Sequence, residues 1–230
     1  LGERTQAEGF RMEILTPVAE RLLKSFFGGA PGAASFVLAG GTALALADFQ
    51  HRRSDDLDFF SREPGAVERF ARAIRAWGIE QGFVVEVDPG FDTKYQTRYR
   101  FGFGEDVVKV DLCLDSPPFL GEPRERSGVR YDARRNLFAS KLAAFFGRGE
   151  PKDAVDAYFI FTSGEDPSGL VADALEKEIG RDFESIARGL ETFEPMDLPD
   201  SFLRSYMIKP VSKAEVRERF REVAAALRSA

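Results

Sequence analysis

Apolar positions along the chain follow two periods, and the change between them organises it. Phe10, Ile14, Leu15, Val18, Leu22 and Leu23 recur at helical spacing until Gly28-Gly29-Ala30-Pro31-Gly32 stops them. Phe36-Val37-Leu38-Ala39 then reads as a buried strand, Gly40-Gly41-Thr42 as a tight turn, and Ala43-Leu44-Ala45-Leu46 as the first turn of a helix. Leu57–Phe60 predicts a second strand, entered from the polar segment His51-Arg52-Arg53-Ser54-Asp55. Glu63–Gln81 is helical, with Phe70, Ile74 and Trp77 on one face. Phe83–Val87, Lys94–Phe103 and Val107–Leu114 are further strand candidates, with turn signals at Asp88-Pro89-Gly90 and Gly104-Glu105-Asp106.

After Ser116-Pro117-Pro118 the character changes. From about Arg134 the pattern is helical, including Asn136–Phe146, Lys152–Phe161, Gly169–Ile179 and Lys213–Leu227. The expectation is an α/β (α+β) core with an N-terminal helix over residues 1–120, followed by a helical C-terminal region over residues 121–230.

Composition narrows the chemistry. At 230 residues, 43% hydrophobic and 30% charged, the chain has an ordinary globular balance. Its 22 Phe against 5 Tyr and 1 Trp suit core filling, because Phe has no polar handle. A net charge of −6 and a pI near 5.1 argue against a grip on long nucleic acid, and no DNA partner is expected. One cysteine, Cys113, and one histidine, His51, exclude a disulfide framework and a Cys/His zinc site. A metal here would be held by carboxylates, which favours Mg²⁺ or Mn²⁺. No run reaches the ~18 apolar residues of a membrane span, and Leu1–Phe10 carry no apolar signal core. A soluble, cytoplasmic protein is expected.

Two glycines between a strand and a helix let backbone approach a phosphate closely, and the helix N-terminus offers free N–H groups. Thr42 adds a hydroxyl and can cap the helix; the bland alternative is a strand-to-helix turn with a capping Thr. Asp56 and Asp58 are two apart on a strand, so both carboxylates face one way and can meet one cation. In Val107–Leu114, Val108, Val110, Leu112 and Leu114 take one face while Lys109 and Asp111 take the other. Asp111 is therefore a candidate third ligand. Asp115 shares its parity but suits a turn, and Asp55 has the wrong parity. The alternative is that the acids are solvated. Three carboxylates from two strands beside a phosphate-binding turn match the needs of two-metal nucleotidyl transfer.

At these residues the chain resembles the AbiEii/AbiGii toxin family of the DNA polymerase β-like nucleotidyltransferase superfamily. Leu38–Leu44 and His51–Phe60 carry its glycine pair and Asp-x-Asp. Ser140–Ala144, Arg148–Asp153 and Asp156–Phe159 look like its downstream Lys and Lys-Asp…Asp motifs. The resemblance implies a mixed-sheet nucleotidyltransferase core, with the helical region completing the nucleotide pocket. It implies Mg²⁺-dependent (or Mn²⁺-dependent) transfer of a nucleoside monophosphate from an NTP, such as ATP, to an acceptor hydroxyl. Asp56, Asp58 and Asp111 would be metal ligands and catalytic acids, and Lys141 would sit on the triphosphate. Gly40, Gly41, Thr42, Arg148, Lys152 and Asp156 would bind or order the nucleotide. In relatives acting as toxins of type IV toxin–antitoxin systems the acceptor is tRNA and the partner a cognate antitoxin.

The spacing adds independent support. Lys141 and Arg148 lie two helical turns apart, and Pro151 suits a helix start that exposes Lys152, Asp153 and Asp156 along its first turns. Solvated surface pairs are the alternative. His51 is expected at a loop or helix end, Arg52 and Arg53 in solvent, and Cys113 as a small buried filler. The acceptor stays open: RNA such as tRNA, a protein side chain, or a small molecule such as an aminoglycoside. A catalytically silent nucleotide-binding or protein-interaction module of the same fold is the alternative function. A hydrolase using the same acids fits less well, since it gives no account of the glycine turn.

Overall fold

The computed structural model describes residues 14–177, 180–194 and 198–229. Phe10 and Ile179, both expected in helices, lie outside them. Helix α1 (Pro17–Gly29) begins where Pro17 presets the first helical φ and Thr16 Oγ1 accepts from the Ala19 N–H at 3.2 Å. The short strand β1 (Val37–Ala39) runs into α2 (Gly40–Leu44), which continues as a π-helical turn over Ala45–Phe49. Strand β2 (Asp56–Ser61), helix α3 (Ala66–Glu80) and strands β3 (Val84–Asp92), β4 (Gln96–Phe103) and β5 (Asp106–Leu114) follow. Strand β3 runs on through Asp88-Pro89-Gly90, where the sequence signalled a turn, and absorbs it as a register shift between Val87 and Asp92.

Residues 122–133 correct one expectation. They fall within the expected helical region over residues 121–230, yet they form a hairpin, β6 (Arg124–Arg126) and β7 (Val129–Tyr131), that joins the sheet. Its two-residue turn, Ser127-Gly128, holds φ of 54° and 73°, the doubly positive pair that tight hairpins need. Buried Val129 and Tyr131 anchor it. Three-residue strands are too short for alternation to announce them.

The described strands form one mixed sheet in the order β3-β4-β5-β2-β1-β7-β6. Strand β2 is parallel to β5 and antiparallel to β1, which is parallel to β7. Alternation divides the faces. Leu57, Val110 and Tyr99 share one row across β2, β5 and β4, and Phe59, Leu112 and Thr97 the next; all six are buried. Helices α1 and α3 cover this face. Phe26 stacks on Phe59 at 3.9 Å, Trp77 meets Phe26 edge-on at 6.2 Å, and the Tyr99 hydroxyl donates to the Ala71 carbonyl at 2.8 Å. Each such buried Phe stabilises the fold by roughly 1.5–3 kcal/mol. The opposite face of the same strands carries Asp56, Asp58, Lys109 and Asp111.

The chain divides into two compact units, the sheet unit up to Pro117 with residues 122–133, and a helical unit of residues 118–121 with Arg134 onward. The second unit holds α4 (Arg134–Arg148), α5 (Pro151–Phe161), α6 (Pro167–Lys177), α7 (Phe183–Glu191), α8 (Asp200–Tyr206) and α9 (Lys213–Ser229). Phe220 on α9 centres its core, with the Phe145, Phe193 and Phe161 rings at 5.1, 5.0 and 6.1 Å. Helix α7 opens on a reciprocal capping box between Asp182 and Ser185. Among the described residues no helix is long and apolar enough to cross a membrane.

Candidate functional site

The glycine turn is built around close approach. Gly40 holds φ +64°, and a Cβ on it would overlap the Asp58 carboxylate. A Cβ on Gly41 would collide with the Arg52 guanidinium. Gly40 therefore requires glycine, whereas a side chain at Gly41 would require the Arg52 guanidinium to shift. Helix α2 is capped by Ala39, which offers no side-chain acceptor to the first N–H groups.

Thr42 is not the cap. It is fully buried within α2; its Oγ1 shares a 2.7 Å hydrogen bond with Ser54 Oγ and donates to the Asp56 carbonyl. The hydroxyl thus ties the glycine turn to the start of the acid-bearing strand. Arg52 is also a correction: it is 4% exposed, with Nη1 donating to the Arg53 carbonyl at 2.9 Å. Arg53 and Asp55 are exposed, and His51 is buried with its ring edge-on to Phe49.

The register sets the acids. Asp58 stands opposite Asp111 in the parallel β2–β5 pair, and Asp111 opposite Arg98 on β4. Asp56 stands opposite Lys109, which in turn faces Arg100. Arg98 Nε and Nη2 donate to the two Asp111 oxygens at 2.7 and 3.0 Å, and its guanidinium lies 3.7 Å from the Phe91 ring centroid. Those bonds hold the Arg98 pKa above its ordinary value, against the opposing effect of burial. Lys109 Nζ lies 2.5 Å from Asp56 Oδ2. Cys113, on the Asp111 face and half-buried, has its thiol pushed up to about 12, chiefly by burial, with the Asp111 and Asp58 charges adding.

Among the described residues no group of three or more His, Cys, Asp or Glu side chains is placed to hold a metal ion as it stands. Asp56 is engaged by Lys109 and Asp111 by Arg98. The donor chemistry nonetheless suits a hard divalent cation. It consists of carboxylates on neighbouring paired strands, whose backbones lie about 4.8 Å apart, with Gly40 cradling Asp58.

The helical unit gathers the downstream residues differently from expectation. Asp153 and Asp156, expected on an exposed face, are fully buried. Lys141 Nζ lies 2.8 Å from Asp156 Oδ2 and 3.6 Å from Asp153 Oδ1, with its side chain only 9% exposed. Arg148 clasps Asp153 through Nε and Nη2 at 2.6 and 3.0 Å. Lys152 is ion-paired to Glu150 at 3.2 Å rather than to Asp156. Lys141 and Arg148 thus do share a helix face, and it looks onto α5. The buried carboxylates require these cations, whereas a bare i,i+3 spacing in sequence does not reveal which way α5 turns. Arg98 is the site residue that the pattern missed. Its only signal was its parity on β4, and no strand register can be read from one sequence.

A family model described as "Nucleotidyl transferase AbiEii toxin, Type IV TA system" matches residues 21–229. No curated protein matches. Among solved structures, the chain is similar in fold to a putative nucleotidyltransferase from Helicobacter pylori, at TM-score 0.60 and 18% identity, covering 97% of this chain and 95% of that one. It is also similar to MenT4, a nucleotidyltransferase toxin from Mycobacterium tuberculosis H37Rv, at TM-score 0.64 and 18% identity, covering 93% and 82%.

Proposed function

The chain belongs to the AbiEii family of nucleotidyl transferase toxins, and from that premise we propose that it moves a nucleoside monophosphate from an NTP to an acceptor hydroxyl, with Asp56, Asp58 and Asp111 as its acids. The observation that carries this is the in-register pair Asp58 and Asp111, with Asp58 held against Gly40. In this role the Gly40-Gly41 backbone and the N–H groups of α2 receive phosphate oxygens. Thr42 fixes the turn to the strand through Ser54 and Asp56. Asp56 and Asp58, with Asp111 as third acid, would hold Mg²⁺ or Mn²⁺. When bound, such an ion supplies charge neutralisation for the triphosphate and a lower pKa for the attacking hydroxyl. For Lys141 we propose the nucleotide-handling role that the family resemblance implies, considered within the helical unit alone, where Asp156 and Asp153 orient its ammonium and Arg148 shares Asp153. The acceptor proposed is RNA such as tRNA, or a protein hydroxyl. A toxin role would bring a cognate antitoxin as partner.

A second function is favoured by one observation. The ion pairs of Asp56 with Lys109 and Asp111 with Arg98 also suit a silent nucleotide-binding module that keeps its acids as structural partners. Turnover separates the two. The purified protein is incubated with Mg²⁺ or Mn²⁺, each labelled NTP in turn, and total RNA plus protein extract, beside Asp58→Ala. Label in RNA or protein from the wild type alone supports transfer and identifies the acceptor class. Metal–NTP binding without transfer to any acceptor would favour the silent module.

A further inference from the structure

Three carboxylates face one side of the β2–β5 pair, and Arg98 and Lys109 pair with two of them, Asp111 and Asp56. The two cations are held in different ways. Arg98 is fixed: it makes two parallel bonds to Asp111, which is 8% exposed, and packs on the Phe91 ring. Removing a bidentate guanidinium from a buried carboxylate is costly. Lys109 makes one contact, to Asp56, and both side chains are about a third exposed at 35% and 34%. An ammonium on a flexible four-carbon stem, paired in contact with solvent, is held weakly and exchanges readily.

From this contrast we infer that Lys109 is an exchangeable counter-cation of the acid face. Its ammonium holds the place beside Asp56 that a divalent cation must take, and so it sets how tightly the site binds metal. The inference rests on the metal-dependent activity proposed above.

Like carboxylates on one strand face repel unless a positive charge stands between them. With Lys109 in place, Asp56 is neutralised, while Gly40 packs closely against the Asp58 carboxylate. Were Asp56 to hold a doubly charged ion, the Lys109 ammonium would have to swing outward, which its exposure permits. Arg98 stays, keeping Asp111 oriented opposite Asp58 throughout. Lys109 therefore acts on metal affinity without being a ligand, and Asp111 keeps its geometry whether or not Asp56 has exchanged partners.

The test is Mn²⁺ binding to the full chain without nucleotide, read by calorimetry and by the electron paramagnetic resonance of free Mn²⁺. Wild type, Lys109→Met, Asp58→Ala and Arg100→Met are compared, Arg100 being the cation opposite Lys109 on β4. Lys109→Met is expected to tighten Mn²⁺ binding about three- to tenfold, the scale of one partly exposed ion pair. Arg100→Met should change it by less than about twofold, as a screened charge does. Lys109→Gln, which keeps a donor but not the charge, should tighten it in the same direction and serves if Met disturbs folding. An unchanged or weaker affinity in both Lys109 variants, with binding still lost in Asp58→Ala, would overturn this inference alone. Equal tightening by Arg100→Met would also overturn it, by showing a through-space charge effect. Absence of Mn²⁺ binding in wild type and variants alike would overturn both it and the metal-dependent activity.

Discussion

Asp58 on β2 and Asp111 on β5 are direct partners across a parallel strand pair, and Arg98 takes both oxygens of Asp111. The two acids should therefore fail differently when changed. On the metal-binding role proposed for it, Asp58→Asn is expected to reduce nucleotidyl transfer by at least about a hundredfold. Asp111→Asn should also cost stability, about 1–3 kcal/mol, because it strips the charge that satisfies part-buried Arg98. Urea denaturation of the two variants beside a labelled-NTP assay separates these effects.

Gly40 is held at φ +64° with the Asp58 carboxylate in the space that a Cβ would occupy. Gly40→Ala should cost about 1–3 kcal/mol through backbone strain alone. It should also abolish transfer, because relief of the overlap moves Asp58. A variant with wild-type thermal midpoint and activity would show that this close approach is not required.

In the helical unit, Lys141→Met leaves Asp156 fully buried without the cation 2.8 Å away. Breaking a buried pair from one side costs about 3–5 kcal/mol, so this variant should be strongly destabilised in urea. Lys152→Met, which loses only a partly exposed pair with Glu150, should cost less than about 0.5 kcal/mol. Loss of activity in Lys141→Met is informative only at urea-free temperatures where its folded fraction matches wild type.

Tyr99 is buried, donates to the Ala71 carbonyl, and has its pKa pushed up from 10 to about 12, chiefly by burial with Asp92 adding. The folded state thus disfavours the phenolate. Its contribution to stability is fully present below the unfolded value near pH 10 and is lost as pH rises through about 12. An absorbance titration should show Tyr99 ionising late, alongside Tyr158, whose pKa burial also raises, and the amplitude of that late step should fall in Tyr99→Phe. Stability of Tyr99→Phe should fall less steeply than wild type across the same alkaline range.

Much of the sheet unit was legible in the chain itself. Helical spacing located α1 and α3, alternation in Val107–Leu114 assigned Asp111 to one face and Val108, Val110 and Leu112 to the other, and parity put Asp56 and Asp58 together. These are local properties, fixed by backbone period over a few residues. The Gly40-Gly41 turn was equally local.

What only the tertiary structure decided were the partners of those residues. That Lys109 meets Asp56 and Arg98 meets Asp111 follows from strand order and register, which depend on how distant strands align and not on either segment alone. The hairpin at Arg124–Tyr131 joins the sheet because Tyr131 lies opposite Leu38, more than ninety residues earlier. Asp153 and Asp156 look exposed on a helical wheel because their spacing says nothing about which face α5 turns to α4. Burial then gave Lys141 and Arg148 to them. Local period is written into neighbouring residues; the pairing of charges is a long-range choice, made when the packed fold leaves a buried carboxylate only certain cations within reach.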